Sequence, residues 1–572
     1  MKTTQILPKV ELFVFLILLL LMLFVFPFET KQTYEDWEWF VDAAATGADD
    51  GSDPDNAWTT INGINWGDLD PGDVVYVKSQ GATAYTLSGE IDPGEYGVTL
   101  LGVNENDIVE DWDAFSSTPK AKITYDNEMF HLTNTDDYIT IENFIIDNTT
   151  ATTTEEPIII DGIVGFELID CDVRTNEGNA IFCHDCSDIT VSGCTFYQYG
   201  SNSGALLFFD ETTNVQMSDC STEINSGESC ESILEIDNCC ECMFIRNKIF
   251  TVDGSSSYGI LVHNQTGDTE FNCNVVYGDF SGYSVSDDRN TDGIAWNFNT
   301  MNNTYQGAGG FFGWRTSNQP VTSFRNNISN VNSSTGNAIM IFTTASYWKP
   351  TSASYFCYNS YNNEYSGADF ASWNGTGYDA SSLSGWVTAI GTGYESNTAF
   401  ADPNFEADGY HLDTTPSTGT PTSILNGGLK ITGIDYDIDK GEYSPSGSGK
   451  TSKGADQYAY IEYSGTLYSG GTIDFQGFST QPAPTNLNLD LYGKSSATLS
   501  NMSMSGSDFS LSGWTANEII NTGTTKQCSV SFIGTIPSWP NTASYSGTIT
   551  IVSDACYSGT TTDYVYVIGH TP

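Results

Sequence analysis

The chain has 572 residues, which is too many for one ordinary globular core, so it contains several domains or one elongated repeat. Its 55 Gly residues and 13% aromatic residues, with little helical periodicity after residue 30, indicate an all-β protein of short strands and many turns. The formal net charge of −53 repels phosphate backbones and excludes nucleic acid as a partner. The same charge attracts cations, and both solvation in salty surroundings and a role for divalent ions account for it.

An apolar run, LFVFLILLLLMLFVFPF, occupies residues 12–28 and follows Lys2 and Lys9. A helix of this length spans about 26 Å, near the lower limit for crossing a bilayer, and no small-residue cleavage site follows closely. Residues 1–30 are therefore predicted to be a cleaved signal peptide or a retained membrane anchor. In both cases we expect the remainder to be secreted or displayed on the cell surface, with membrane contact only through an uncleaved segment.

A repeat of about 26 residues runs through the middle of the chain. It is visible when ITIENFII (139–146) is aligned with FELIDCDV (166–173), ITVSGCTF (189–196) and VQMSDCST (215–222), and it continues as CMFIRNKI, TEFNCNVV, IAWNFNTM, VTSFRNNI and SYFCYNSY. Apolar residues alternate within each repeat, so each is predicted to be a rung of short strands in a solenoid.

Three columns follow from this alignment. The first inward column is predicted as Ile141, Leu168, Val191, Met217, Phe244, Phe271, Trp296, Ser323 and Phe356. The second is predicted as Ile146, Val173, Phe196, Thr222, Ile249, Val276, Met301, Ile328 and Tyr361. Between them runs a column of Phe144, Cys171, Cys194, Cys220, Asn247, Asn274, Asn299, Asn326 and Asn359. Stacked Asn amides hydrogen-bond from rung to rung, so this ladder is predicted to be structural.

The rungs resemble the right-handed parallel β-helix family, whose members include pectate lyases, polygalacturonases and many surface proteins. The stretch DDGSDPDNAWTTINGINWGDLDPGDVVYVKSQ (49–80) resembles the opening turn of such helices, and FADPNFEADGYHL (400–412) with KGADQY (453–458) resembles their closing motifs. The resemblance implies a pectin-lyase-like β-helix over residues 40–458. This fold hosts hydrolases, lyases, epimerases, adhesins and viral spikes, so it does not select a function.

Residues 459–572 contain short strands without the repeat and are predicted to form a small β-sandwich. The stretches DFSLSGW, CSVSFIG and YSGTITIVSDA resemble the Ig-like modules of bacterial surface proteins. Cys528 and Cys556 are expected either to form a disulfide between two strands or to pack as small apolar residues.

The tetrapeptide NTDG, which contains Asp292, resembles the catalytic-aspartate motif of polygalacturonases. The paired Asp, Gly-His-Gly and Arg-x-Lys of that family are missing, so we interpret NTDG as a chance match.

A second candidate site lies ten positions before each ladder residue, at Asn134, Asp161, His184, Asp210, Asp237 and Asn264. The neighbouring apolar residues, Ile158/Ile160, Leu207/Phe209 and Leu234/Ile236, alternate inward, so this column is predicted to face outward. Asp161, His184, Asp210 and Asp237 are the candidate catalytic residues, since rungs stack about 4.8 Å apart and stacked carboxylates have the spacing of glycosidase pairs.

Aromatic residues are predicted beside this column, and Phe182, Phe208, Phe312 and Trp314 are the candidate carbohydrate-binding residues. Asp210, Glu211 and Asp237 are candidate calcium ligands, because repelling carboxylates recruit a hard cation. The alternative is that these Asp residues only cap turns. Lyases of this fold use Lys or Arg as the base, and Arg246 and Lys248 lie away from the acidic column.

The two C-x-x-C stretches, Cys183 to Cys186 and Cys239 to Cys242, suit zinc, but in an exported chain we expect disulfides or stacked thiols instead.

The sequence therefore predicts an exported surface protein whose β-helix displays a carbohydrate-binding face for a polysaccharide or cell-surface glycan. One alternative is a non-catalytic structural or adhesive surface protein that self-associates. A further alternative is a polysaccharide lyase or glycoside hydrolase, and the sequence leaves open whether the chain is an enzyme. Calcium is the one cofactor that it suggests.

Overall fold

The computed structural model describes residues 37–570 with gaps at 95–96, 105–119, 134–135, 151–154, 252–255, 289–292, 307, 315–320, 343–347, 414–419, 426, 441–449, 457–460, 464–471, 478–485, 494–496, 506–508, 517, 521–524, 533–543 and 554–560. The predicted signal or anchor, Asn134, Asp292 and Cys556 lie outside the described residues. Among the residues that are described, no helix is long and apolar enough to span a membrane.

The described residues from Glu38 to Phe400 form a parallel β-helix, as predicted from the repeat. Each complete rung contributes one strand to each of three sheets, in the order sheet 1, sheet 2, sheet 3, and then returns to sheet 1. Successive strands of a sheet pair in parallel with strands one rung away, which buries the apolar face of every rung against its neighbours.

The strands of sheet 1 are Glu38–Val41, Val74–Lys78, Thr99–Val103, Ile139–Glu142, Val164–Ile169, Ser187–Ser192, Thr213–Ser218, Cys242–Ile245, Thr269–Asn272, Ile294–Asn297, Ser323–Arg325 and Phe356–Cys357. The strands of sheet 2 are Tyr85–Thr86, Ala121–Thr124, Phe144–Asn148, Asp172–Thr175, Thr195–Gln198, Ser221–Ile224, Lys248–Phe250, Val275–Gly278, Thr300–Asn303, Ile328–Val331, Ser360–Asn363 and Ala399–Phe400. The strands of sheet 3 are Phe130–Thr133, Ile158–Asp161, Ile181–His184, Ala205–Asp210, Ser232–Asp237, Ser256–His263, Phe280–Asp288, Gly309–Trp314, Ile339–Ile341, Ala371–Trp373 and the antiparallel Thr376–Tyr378.

Helices are few in the described residues and lie near the ends of the β-helix. The 3-10 helices are Ile61–Gly63, Trp66–Asp68, Ala353–Tyr355 and Ala380–Ser382, and the α-helices are Leu383–Ile390 and Thr422–Leu425. Ile61, from the predicted opening turn, is buried in the same core cluster as the first rungs, so this turn covers their apolar end.

The first inward column packs as predicted over most of its length. Phe271 stacks between Phe244 and Trp296, with ring centroids 4.9 Å and 4.0 Å apart, and all three side chains are fully buried. The predicted register is wrong in the rung of residues 321–331, where it slips by one residue. Trp296 pairs with Phe324 and Met301 pairs with Ser329, so Ser323 and Ile328 are not column members.

The ladder lies at the corner between sheet 1 and sheet 2, which we call the ladder corner. Asn299 donates a hydrogen bond to the carbonyl oxygen of Phe271 (2.9 Å) and another to Oδ1 of Asn327 (3.1 Å). Asn247, Asn274, Asn327 and Asn359 each donate in the same way to a carbonyl one rung back. The ladder is therefore structural, as predicted, but its member in the slipped rung is Asn327 and not Asn326.

Cysteine thiols continue the same ladder toward the N-terminus. The Sγ atom of Cys194 donates to the carbonyl of Leu168 (3.3 Å), and that of Cys220 donates to the carbonyl of Val191 (3.6 Å). At the corner between sheet 3 and sheet 1, Cys186 and Cys239 likewise donate to carbonyls one rung back. These four cysteines, and Cys183 and Cys242 of the two C-x-x-C stretches, are free thiols. Of the two alternatives predicted for those stretches, disulfides or stacked thiols, the structure therefore has the thiols and not the disulfides.

The segment after Phe400 returns along the outside of the β-helix, and we call residues 401–456 the closing segment. Its apolar residues pack on earlier rungs, with Leu412 against Ile328 and Ile438 in a cluster with Val275. Lys453, from the predicted closing motif, is fully buried and donates to the carbonyl of Asn359 (3.1 Å) at the end of the ladder. A small antiparallel pair, Gly428–Leu429 with Lys450–Thr451, completes the segment.

The described residues beyond 460 form two further sheets. One contains Ile461–Tyr463, Asn486–Gly493, Thr525–Phe532 and Phe509–Ser512, and the other contains Thr472–Gly477, Thr561–His570, Ser544–Ser553, Ala497–Ser505 and Glu518–Ile520. Their pairing is antiparallel except between Thr472–Gly477 and Thr561–His570. The Ig-like assignment of this region, and the disulfide to Cys556, stay predictions.

Candidate functional site

An outward column of Asp and His residues runs along sheet 3. Direct register partners join consecutive members of this Asp/His column, which is Asp161, His184, Asp210, Asp237, His263 and Asp288. Their neighbours in the strand, such as Ile160 and Phe209, are fully buried. The column therefore faces outward, and the structure brings together the four residues that the sequence proposed as catalytic.

A second outward column lies two residues earlier in each strand, and it carries most of the predicted carbohydrate-binding residues. It runs through Ile159, Phe182, Phe208, Glu235, Leu261, Ser286 and Phe312. Phe182 and Phe208 are half-buried, and their ring centroids lie 5.6 Å apart. Trp314 pairs with Asp288 and so extends the Asp/His column, next to the exposed ring of Phe342. The four residues predicted to be catalytic and the four predicted to bind carbohydrate thus all lie on one face of sheet 3.

His184 joins two carboxylates of the column. Its Nδ1 atom lies 3.0 Å from Oδ1 of Asp161, and its Nε2 atom lies 3.8 Å from Oδ2 of Asp210. The hydrogen bond to Asp161 raises the pKa of His184 above its usual range, and the charge of Asp210 adds to this effect. Because the ring occupies the space between Asp161 and Asp210, that pair is not open to a substrate in the way that an inverting glycosidase requires.

His263 repeats this arrangement two rungs after Asp210. Its Nε2 atom lies 3.1 Å from Oε1 of Glu235 and 3.6 Å from Oδ2 of Asp237. Burial opposes its charge, but the hydrogen bond to Glu235 and the nearby Asp charges outweigh burial and raise the pKa of His263. The sequence prediction placed Asn264 here. Asn264 instead sits one residue further on and donates to Oδ1 of Asp237 (2.8 Å).

His263, Asp288 and Glu235 are the members of this face that the sequence prediction missed. The signal that identifies His263 is the inward alternation of Ile260 and Val262, which makes the residue after Val262 point outward.

Asp210 and Asp237 are the two carboxylates that face each other directly, since no His separates them. Partial burial raises the pKa of Asp210, and the charge of Asp237 raises it further. Paired strands lie about 4.8 Å apart, close to the separation of about 5 Å between the carboxyl groups of a retaining glycosidase. Two residues paired in this register are thus placed by strand spacing near the separation that a retaining mechanism uses, and the raised pKa of Asp210 is the direction that a general acid needs.

The predicted calcium ligands Asp210, Glu211 and Asp237 border the same corner of the β-helix. Glu211 receives a hydrogen bond from Nδ2 of Asn238 at 3.4 Å. Among the described residues, three or more potential ligand atoms lie within 4.8 Å of one another at two other places, Glu90–Glu128–His131 and His411–Asp439–Asp456. Calcium binding at Asp210, Glu211 and Asp237 stays a prediction.

His411 lies in a group of charged residues that joins the closing segment to sheet 2 through the pair of Asp439 and Lys248. Both ring nitrogens contact carboxylates, Nδ1 that of Asp408 and Nε2 that of Asp439 (2.6 Å), while Asp439 also pairs with Lys248 (2.9 Å). Burial opposes its charge, but the two carboxylates raise the pKa of His411 to about 11. Lys248 is thus engaged away from sheet 3, as is Arg246, which forms a two-point ion pair with Asp219.

No protein-family profile matches this chain, and no curated protein matches it. Solved structures that are similar to it include the following three. A Geobacillus virus E2 protein, ORF18, has 13% identity and a TM-score of 0.26, and the match covers 43% of this chain and 52% of that one, so this chain spans about half the length of the viral protein. A GH136 lacto-N-biosidase from Eubacterium ramulus has 9% identity and a TM-score of 0.33 over 64% of this chain and 68% of that one. A rhamnogalacturonan lyase has 12% identity and a TM-score of 0.31 over 67% of this chain and 95% of that one.

Proposed function

We propose that this protein binds a carbohydrate polymer along the outer face of sheet 3, as part of an exported or surface-displayed chain. The observation that carries the proposal is the alignment of two outward columns, one with half-buried aromatic rings and one with carboxylates and imidazoles. Aromatic rings present flat apolar area to the C–H faces of sugars, and carboxylates accept hydrogen bonds from hydroxyl groups. The Asp/His column continues over six successive rungs, which suits a ligand that is itself a repeat.

Binding of the full-length chain to a panel of polysaccharides, measured by affinity electrophoresis or calorimetry, tests this proposal. Replacing Phe182 and Phe208 together by Ala is expected to weaken binding at least tenfold, which corresponds to about 1.4 kcal/mol. The matched control is Tyr197→Ala, which removes a half-buried outward ring from sheet 2 and should leave affinity unchanged. Equal losses of affinity in the two variants, or no binding to any polysaccharide, would contradict the proposal and favour a structural or adhesive protein.

The pair Asp210 and Asp237 favours a second function, hydrolysis of the bound glycan by a retaining mechanism. Asp210, whose pKa is raised, is the candidate acid, and Asp237 is the candidate nucleophile. Release of reducing ends should be lost in Asp210→Asn and in Asp237→Asn. It should persist in Asp185→Asn, which changes an exposed carboxylate in the same corner as His184. Binding without turnover by the unmodified chain would exclude this second function while leaving the first.

A further inference from the structure

Charge is segregated around the β-helix. No strand of sheet 3 in the described part of the chain contains Lys or Arg, whereas Asp and Glu recur along it. Sheet 2 differs, because its outward acids are matched by bases: Lys122 pairs with Asp147 at 2.8 Å, and Asp172 pairs with Lys120 at 2.8 Å. The face that carries the aromatic rings therefore presents acidic side chains from strands that contain no Lys or Arg.

The carboxylates of this face outnumber its cationic groups. Asp161, Asp210, Asp237, Asp288 and Glu235 line the two outward columns, and the imidazoles of these columns among the described residues are His131, His184 and His263. Even these imidazoles are charged only in part of the pH range. Side-chain exposure of 51% for Asp161 and 26% for Asp210 leaves the carboxylates within reach of a ligand.

This charge pattern discriminates between classes of polysaccharide. A polyuronate would add negative charge beside carboxylates that already repel each other from rung to rung. A polymer with regularly spaced ammonium groups would relieve that repulsion. Its ammonium groups would donate hydrogen bonds to the carboxylates of successive rungs. The rings of Phe182 and Phe208 beside the carboxylates add the apolar contact that a sugar ring uses, and they also attract cations through their faces.

We propose that the ligand of this face is an amino-sugar polymer with free amino groups, whose rings lie on the aromatic column and whose ammonium groups lie against the Asp/His column. The proposal rests on the proposed function, because it names the class of carbohydrate for the same face. Asp210 and Asp237, which stand together without an imidazole between them, are the strongest ammonium partners.

The test compares three oligosaccharides of equal length on the full chain: glucosamine oligomers, their fully N-acetylated counterparts and oligogalacturonate. Glucosamine oligomers are expected to bind at least tenfold more tightly than the acetylated ones, with a preference that shrinks as salt is raised, and oligogalacturonate is expected to bind least. Asp210→Asn combined with Asp237→Asn should remove most of that preference. The control Glu167→Gln, an exposed carboxylate on the outer face of sheet 1, should keep the preference.

The outcomes separate the two proposals. If none of the oligomers binds, the proposed function itself fails. If the acetylated oligomer or oligogalacturonate binds as tightly as the amino form, the face still binds carbohydrate but the inference about amino sugars is wrong. If a polylysine peptide binds more tightly than the glucosamine oligomer and displaces it, the face serves basic proteins and the inference is again overturned.

Discussion

Replacing Asn299 by Ala should destabilise the β-helix strongly, because its amide makes four hydrogen bonds in the ladder. Nδ2 donates to the Phe271 carbonyl (2.9 Å) and to Asn327 (3.1 Å), and Oδ1 accepts from the backbone N–H of Asn274 (3.0 Å) and from its side chain (3.1 Å). Asn299 is 1% exposed, so water cannot replace these partners. Each buried group that loses its partner costs about 1–3 kcal/mol. Because the neighbouring side chains relax in part, we expect the free energy of unfolding to fall by about 3–5 kcal/mol.

Asn299→Cys provides the sharper comparison, because the protein already uses thiols in this ladder. Cys220 donates to the carbonyl of Val191 (3.6 Å), and Sγ of Cys194 accepts from the N–H of Cys171 (3.4 Å). A thiol at position 299 should therefore keep a weakened form of two of the four bonds and cost about half as much as Ala.

Urea unfolding of the full chain, followed by tryptophan fluorescence, measures these differences in unfolding free energy. They are read from the shift of the unfolding midpoint, provided that the slope of free energy against urea concentration is the same in each variant. The control Gln216→Ala removes an exposed amide from the outer face of sheet 1 and should change the free energy by less than about 0.5 kcal/mol. A loss below about 1 kcal/mol for Asn299→Ala, or Cys as damaging as Ala, would refute the assignment of the ladder as a hydrogen-bonding device.

Phe271→Ala should cost about 3–5 kcal/mol of unfolding free energy because it removes the middle ring of a fully buried stack, whereas the exposed control Gln216→Ala should again cost less than about 0.5 kcal/mol by the same urea assay. The pKa of His184 is raised in the folded chain, so its ion pairs stabilise below the unfolded value of about 6.5 and are lost as pH rises through the folded value. The Tm difference between the wild type and His184→Gln should therefore shrink as pH rises above about 6.5, and a difference that grows with pH would contradict this sign. Millimolar calcium should raise Tm, and Asp210→Asn with Asp237→Asn should abolish the rise; an equal response to magnesium would indicate screening alone.

The β-helix could be predicted because its rungs repeat strict alternation with large apolar residues at the inward positions. In the rung of residues 321–331 the alternation does not identify the register by itself, and the predicted register is wrong by one residue there. The stretch VTSFRNNI contains two consecutive Asn residues, and the alignment took Asn326 where the structure uses Asn327. Placing Phe324, the large apolar residue of this rung, in the inward column would have corrected the slip, since its neighbours Trp296 and Phe356 are also aromatic.

The candidate site was only partly predictable, because its position was counted from the ladder. Ten residues separate the Asp/His column from the ladder at Asp161, His184, Asp210 and Asp237, but eleven separate His263 from Asn274. The corner after His263 is one residue longer, so a constant count selected Asn264 and missed the imidazole. Corner length is not under the control of packing, whereas strand alternation is.

The cysteines show why residue type alone misled. Thirteen Cys, taken together with the predicted export, favour a disulfide framework, yet a thiol is also a small apolar group with one weak donor. At the ladder corner that donor meets a buried carbonyl that needs a partner, and Cys and Asn meet the same need at successive rungs, as in Cys220 and Asn247. The hydrogen-bonding requirement of the corner, and not redox chemistry, accounts for these positions.

For the Asp/His column, turn capping was the main structural alternative, and capping requires the carboxylate to accept a hydrogen bond from a backbone N–H of its own turn. Asp379 shows what capping looks like, since its carboxylate accepts the backbone N–H of Ser382 (2.9 Å) within its own turn. In the column, Asp161 contacts the ring of His184, and Asp237 contacts the side chain of Asn264, each from the next rung. These contacts satisfy no backbone group of the fold, so an apolar or neutral residue would serve the β-helix as well at Asp161 and Asp237. Capping therefore does not account for the charge at these two positions, and this makes the face of sheet 3 the place to test for a ligand.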